Sequence, residues 1–491
     1  MLTKIRELVE TLNSKGLKYC HWKSNLSLTQ ALSGKTDVDL LIDRMDADSF
    51  RILMGQLCFR PAIAKEVSSF PSVEHYFALD EESGDLVHVH AYFRVITGES
   101  LVKNYRLPIE AMLLENTREM ESIRLPTKSA ELVIFTLRMM LKHTSLTELL
   151  MLARDWKQVK HEILWLLDGG SVNEAINLIN QWLPSVDTEL FSECVQAIKS
   201  PASLLRRVSL GLRLRSSLRI YARHSPFVAW LSGIRKFLIM GIRRLIQSER
   251  GVSPQSGGAV IAIVGPEATG KSTLLAELRN WLGEHFAVSQ IHAGKPKSTL
   301  FTFIPNLLVP ALRFFLPTYR SSRIETQHAS EEEVQNSQKV YPIISAIRSV
   351  LLAYDRRALL TRAFARSSNG SIVLCDRYPS LSPGSPDGPQ LSQFPILKDQ
   401  YPIQYRLSRI EKQIYEEIPP PDLVVLLTVP IEVAILRNRN RGKVEPEDFV
   451  RLRHGQSSSL EFEKSQVYKI NTDQPLDKTI LDVKRAIWNV L

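Results

Sequence analysis

Six apolar residues, Ala259-Val-Ile-Ala-Ile-Val264, run without a polar break into Gly265-Pro-Glu-Ala-Thr-Gly-Lys271-Ser272, and Thr273-Leu-Leu-Ala-Glu-Leu-Arg-Asn-Trp-Leu282 follows with helical character. An uninterrupted apolar run suits a strand covered on both faces, the situation in a parallel sheet. The order strand, glycine-rich loop, helix therefore commits this part of the chain to an α/β fold. Gly265 and Gly270 let backbone N–H groups close around an anion at the helix N-terminus, where the peptide dipoles add positive potential. Within that frame Lys271 is expected to reach the β- and γ-phosphates of ATP, Ser272 to ligand Mg²⁺, and Thr273 to complete the phosphate-binding start of the helix.

A phosphate loop alone does not specify chemistry, so the neighbouring strands matter. Gly370-Ser-Ile-Val-Leu-Cys-Asp376-Arg377-Tyr378 reads as a second buried strand that delivers an acid and an arginine at its C-terminal end. Asp376 there is placed to hold Mg²⁺ or its water, and Arg377 to grip an acceptor phosphate through two N–H groups. A third strand, Asp422 to Val429, leads through Pro430 into a helix carrying Arg437, Arg439 and Arg441 just before Gly442. Arginines in that position suit a lid closing over a transferring phosphoryl group.

These motifs, together with Leu351-Leu-Ala-Tyr-Asp-Arg356 and Tyr468-Lys-Ile-Asn-Thr-Asp473, resemble the thymidylate kinase family of nucleoside monophosphate kinases from about residue 258 onward. The resemblance implies a doubly wound parallel sheet, ATP and Mg²⁺ as cofactors, and transfer of the γ-phosphoryl to a small-molecule phosphate acceptor. It also implies acceptor contacts from Arg356, Arg377 and Tyr378, and a lid built on residues 437–441. Where that family carries an Arg-Glu-Pro-Gly segment, this chain has Ile291-His-Ala-Gly-Lys-Pro296, so the acceptor wall differs and Lys295 is its candidate anion contact. The Ser382 to Pro389 loop is long and proline-rich. In these respects the chain is closer to the divergent thymidylate-kinase-like proteins that accompany bacterial surface-polysaccharide genes.

The first hundred residues read as α+β. Thr36-Asp37-Val38-Asp39-Leu-Leu-Ile42 places two carboxylates on one face of a strand, because side chains at i and i+2 point the same way. Val73–Leu79 and Leu86–Tyr92 flank the turn-rich Asp80-Glu-Glu-Ser-Gly-Asp85 and predict a hairpin. With Tyr19-Cys-His-Trp-Lys-Ser24 upstream, this part resembles nucleotidyltransferases of the DNA polymerase β type, which implies a metal pair at Asp37 and Asp39. His88 stands where that family has its third carboxylate, and Lys23-Ser24 replaces its Gly-Ser pair.

A chain of 491 residues is long enough for several cores. The expected segments are an α+β domain at 1–125, its helical extension at 126–200, a basic helical connector and linker at 201–257, and the P-loop domain at 258–491. Four widely separated cysteines offer no zinc-ligand spacing, and reduced thiols are expected. The formal charge of +10 is carried by residues 201–250, which hold ten Arg, one Lys and one Glu. Two readings of that segment stay open, a solvated connector and a basic amphipathic helix on an anionic membrane. Nucleic acid is disfavoured, since no stacking motif or zinc finger accompanies the charge. The N-terminus carries acids within its apolar pattern, and a cytoplasmic protein is expected, with the inner membrane surface as its peripheral alternative. A homodimer is one assembly the reading allows. Two rival functions remain: a kinase for a sugar or lipid-linked intermediate of surface-polysaccharide synthesis, and an ATP-binding switch that transfers nothing.

Overall fold

The computed structural model describes the backbone of all residues except 65–68, 143–145, 201–203, 246–250, 300–301, 304–342, 394–395, 397, 441–445 and 459. The side chains of 146–147, 149–155, 204, 243–245 and 458 also lie outside the description. The chain is mixed α/β and divides into two compact units, residues 1–248 and 249–491.

In the first unit, β1 (Tyr19–His21), β2 (Val38–Ile42), β3 (Arg60–Ile63), β4 (Val73–Leu79) and β5 (Leu86–Tyr92) lie in the order β1-β2-β5-β4-β3. The β2–β5 pair is parallel and the others antiparallel. The hairpin between β4 and β5 closes because Asp80 accepts hydrogen bonds from the Ser83 N–H and hydroxyl at 3.2 and 3.0 Å. Its other oxygen accepts from the Lys4 N–H, tying the turn to the first helix. That helix, Thr3–Ser14, buries Ile5, Leu8, Val9 and Leu12 at the spacing its sequence predicts.

A helical layer follows around the nearly all-buried helix Lys128–Lys142. The segment read as a connector enters this layer. Leu210 and Leu214 of the helix Leu204–Ser217, with Leu218, are buried in the same core. Several of its arginines are likewise engaged: Arg207 donates to the Ala197 carbonyl, Arg213 pairs with Glu193 at 2.7 Å, and Arg215 pairs with Glu99 at 2.7 Å. Charge concentrated in sequence is thus partly spent on internal contacts. Among the described residues no helix is long and apolar enough to cross a membrane.

The second unit is built on five parallel strands, β6 (Val260–Val264), β7 (Val288–His292), β8 (Ile372–Asp376), β9 (Leu423–Thr428) and β10 (Gln466–Asn471), ordered β7-β8-β6-β9-β10. All five residues of β6 are buried, and its two valines and two isoleucines each contribute roughly 1.5–3 kcal/mol of apolar transfer before chain entropy is counted. The start of β6 is held by Asp422, whose carboxylate accepts from the Val260 N–H at 2.7 Å. Chain order reverses at β6, between β8 and β9, and in such sheets ligands bind outside the carboxyl ends of the strands at that point. Val264, Asp376 and His292 all end there.

Candidate functional site

The phosphate loop takes its shape from three left-handed or extended backbone positions. Gly265 has φ 155°, and a Cβ there would lie 2.6 Å from the Leu427 carbonyl oxygen, so β9 passes too close for any side chain. Ala268 and Gly270 have φ 65° and 85°. Alternating handedness at the start of the helix Lys271–Gly283 makes a concave nest of N–H groups, a geometry that fits a phosphate chain. Lys271 is buried against this loop and donates to the carbonyls of Gly265 and Pro266 at 2.9 and 2.5 Å. Ser272 and Thr273 are exposed at the helix start.

Asp376 ends β8 beside the loop. His292, at the end of β7, approaches it with Nδ1 3.7 Å from Asp376 Oδ2. Arg377 then turns out of the sheet with φ 68°, its N–H still donating to Ile263. Its guanidinium donates to Glu267 of the phosphate loop at 2.8 Å and to Asp387 at 3.4 Å. Gly294 makes room for it, since a Cβ there would come within 2.7 Å of Arg377 Cδ. Glu267 also accepts from Arg453 at 2.7 Å. Burial pushes the Glu267 carboxyl up, but the hydrogen bond from Arg377 and the charges of Lys271, Arg377 and Arg453 outweigh it and hold the pKa at about 2.

The other expected residues fall into different surroundings. Arg356 is 3% exposed and donates to the carbonyls of Ala293 and Asp387, the Tyr415 hydroxyl and the Asp387 carboxylate. It thus clamps the 291–296 segment to the proline-rich loop, and Asp387 joins it to Arg377. Tyr378 is buried, with its hydroxyl on the Pro419 carbonyl at 2.5 Å. Lys295 is exposed. Arg437 donates to Thr472 at 2.8 Å and Arg439 to Glu447 at 2.8 Å, while Arg441 lies outside the described residues. Arg453, on the helix Glu447–Ser458, contacts the phosphate loop instead. Sequence reasoning passed over Arg453, Glu267 and Asp387.

In the first unit Asp37 and Asp39 share a face, as the alternation predicts, and both carboxylates have close neighbours. His88 Nδ1–H donates to Asp37 at 2.7 Å, and Lys23 Nζ lies 2.9 Å from Asp39. His90 Nδ1 stands 3.3 Å from Asp39 and 3.6 Å from Asp37. Burial pushes the Asp39 carboxyl up, yet Lys23 and His90 hold it well below the usual carboxylate range.

No family model matches the chain. It is 22% identical over 246 residues to the uncharacterized ATP-binding protein YghR of Escherichia coli strain K12, covering 49% of this chain and 92% of that protein. It is 25% identical over 236 residues to the uncharacterized ATP-binding protein YghS of the same strain, covering 47% and 93%. A thymidylate kinase of Teredinibacter turnerae is 27% identical over 237 residues, covering 47% and 97%. These similarities, with the loop on a parallel sheet, support a P-loop kinase-like region.

Proposed function

We propose that the second unit is an ATP-dependent phosphotransferase whose acceptor already carries a phosphate, a nucleoside monophosphate such as dTMP being the simplest case. The observation that carries this reading is Arg377, held at the switch point of the sheet between a phosphate-loop carboxylate and the loop containing Asp387. A nucleotide-dependent switch has no need of such a clamp. The donor set fits ATP and Mg²⁺: the nest around Ala268 and Gly270 for the phosphates, Lys271 beside them, and Ser272 with Asp376 for the ion. Bound ATP supplies the transferable phosphoryl group. The chain's own part is positioning and electrostatics, because phosphoryl transfer asks little covalent chemistry of a protein. Lys271 would turn from its two loop carbonyls toward a bound phosphate chain, and Arg377 and Arg453 would spread the charge that develops.

A panel of nucleoside, sugar and lipid-linked phosphates with labelled ATP tests the reading. One acceptor should be labelled by the parent chain and not by Lys271→Ala. Tight ATP binding that Lys271→Ala abolishes, with no acceptor labelled, overturns it in favour of the switch.

One feature favours the lipid-linked alternative. The helix Pro226–Leu245 leaves Phe227, Trp230, Leu231, Ile234, Phe237 and Leu238 exposed along one face, while its Gly233 and Lys236 meet Val102 and Phe70. An apolar stripe in a segment this basic complements an anionic bilayer surface. Flotation with phosphatidylglycerol vesicles, lost in Trp230→Glu/Phe237→Glu, is the expected result. A chain that stays unbound to anionic vesicles removes this alternative.

A further inference from the structure

Three histidine rings meet on one face of the first unit's sheet. His88 and His90 stand two residues apart on β5, so their side chains leave the same face. His75 on β4 lies directly opposite His90 in the antiparallel register. One nitrogen from each ring lies within 4.8 Å of the others, and His75 Nδ1 is 3.2 Å from His88 Nε2. Tetrahedral ligands at 2.0–2.1 Å from zinc stand roughly 3.4 Å apart, close to the 3.2 Å between the His75 and His88 nitrogens.

The carboxylates behind the rings give a second, independent observation. His88 uses Nδ1–H on Asp37, which leaves Nε2, the atom facing His75, in the unprotonated form that ligates. His90 likewise turns Nδ1 toward Asp39. A carboxylate behind an imidazole is the recurrent outer shell of zinc sites, where it fixes the tautomer and raises ligand basicity. Phe77 stacks on His88 with centroids 4.0 Å apart and walls the ring in place.

We propose that His75, His88 and His90 form a transition-metal site of the zinc class, with Asp37 and Asp39 as its outer carboxylates. Nitrogen donors in this number disfavour Mg²⁺, which takes oxygen ligands and keeps its water. The two aspartates therefore orient ligands, a different task from the metal pair that the resemblance to nucleotidyltransferases implies. Three protein ligands leave a fourth position for water or an anion. The proposal is independent of the phosphotransferase reading, which concerns the other unit.

The test uses the full chain carrying Cys58→Ser, which removes the exposed thiol, stripped of metal with chelator and titrated with Co²⁺ and then Zn²⁺. One equivalent of Co²⁺ should give the visible absorption of a nitrogen-ligated ion. Zn²⁺ should displace it, and millimolar Mg²⁺ should not. His75→Ala should weaken binding by at least about 100-fold and Asp37→Asn by about 10–100-fold. Circular dichroism checks that each variant is folded, and His75→Gln serves where His75→Ala is not. Absence of stoichiometric binding at micromolar metal, undiminished Zn²⁺ binding in folded His75→Ala or His75→Gln, or displacement by Mg²⁺ each overturns the site.

Discussion

Arg377 Nη2 lies 2.8 Å from Glu267 Oε1, an ion pair that ties the end of β8 to the middle of the phosphate loop. Because Arg453 reaches the same oxygen at 2.7 Å, one carboxylate sets the position of two cations from distant parts of the chain.

Glu267→Gln keeps the shape of that side chain and removes its charge. The two arginines then lose their common anchor while the loop backbone is untouched. Acceptor KM should rise about tenfold, equivalent to about 1.4 kcal/mol, with a smaller change in ATP affinity. Steady-state kinetics with each substrate varied in turn measures the split, and an equal effect on both would show that Glu267 serves the loop alone.

Gly294→Ala tests the same arginine from the other side. Its new Cβ would sit 2.7 Å from Arg377 Cδ and 3.0 Å from the His292 ring, so Arg377 must shift. Displacements of about 1 Å in a positioning group cost on the order of 100-fold in rate. Phosphoryl transfer should fall by that order while binding of a fluorescent ATP analogue is unchanged.

Arg356 is expected to matter for stability first. Replacing it by Met strips donors from Asp387, Tyr415 and the 293–294 backbone at once. Breaking a buried charged network by removing one partner costs about 3–5 kcal/mol. The melting temperature of the second unit should drop by several degrees in a thermal melt of the variant against the parent.

How far these residues could be read from sequence depends on where they sit. The strand, loop and helix at 259–282 were legible because a continuous apolar run, two glycines and a Lys-Ser pair reinforce one another. Glu267 was not, since it fills a variable position of the motif, and its partners lie 110 and 186 residues away. His75 had a readable signal that went unused. With Leu79 paired to Leu86 across the predicted turn, counting outward places His75 opposite His90. For Arg437 and Arg439 the place on a helix suggested a lid, and spacing alone did not disclose that Thr472 and Glu447 take their donors in this structure.

Glu131 gives a pH-dependent prediction for the first unit. It is 1% exposed, and burial raises its pKa from 4.5 to about 7, although it accepts a hydrogen bond from the Asn25 N–H. A carboxyl with a raised native pKa binds more protons folded than unfolded, so its contribution is favourable below about pH 4.5 and is lost as pH rises through about 7. Glu131→Gln should therefore stabilise the unit at pH 8 by on the order of 1–3 kcal/mol and flatten its stability between those limits. Urea melts across that range, parent against variant, measure the difference.

Arg377 occupies a left-handed backbone position, φ 68°, that a glycine would adopt without the steric cost of about 1–2 kcal/mol borne by a residue with a Cβ. The side chain that costs the fold something is the one that reaches Glu267 and Asp387. At this residue the preference of the backbone and the ion pairs of the side chain pull in opposite directions. Arg377→Gly would relax the backbone and at the same time leave Glu267 and Asp387 without this guanidinium, so the ion pairs of the side chain offset the strain at its Cα.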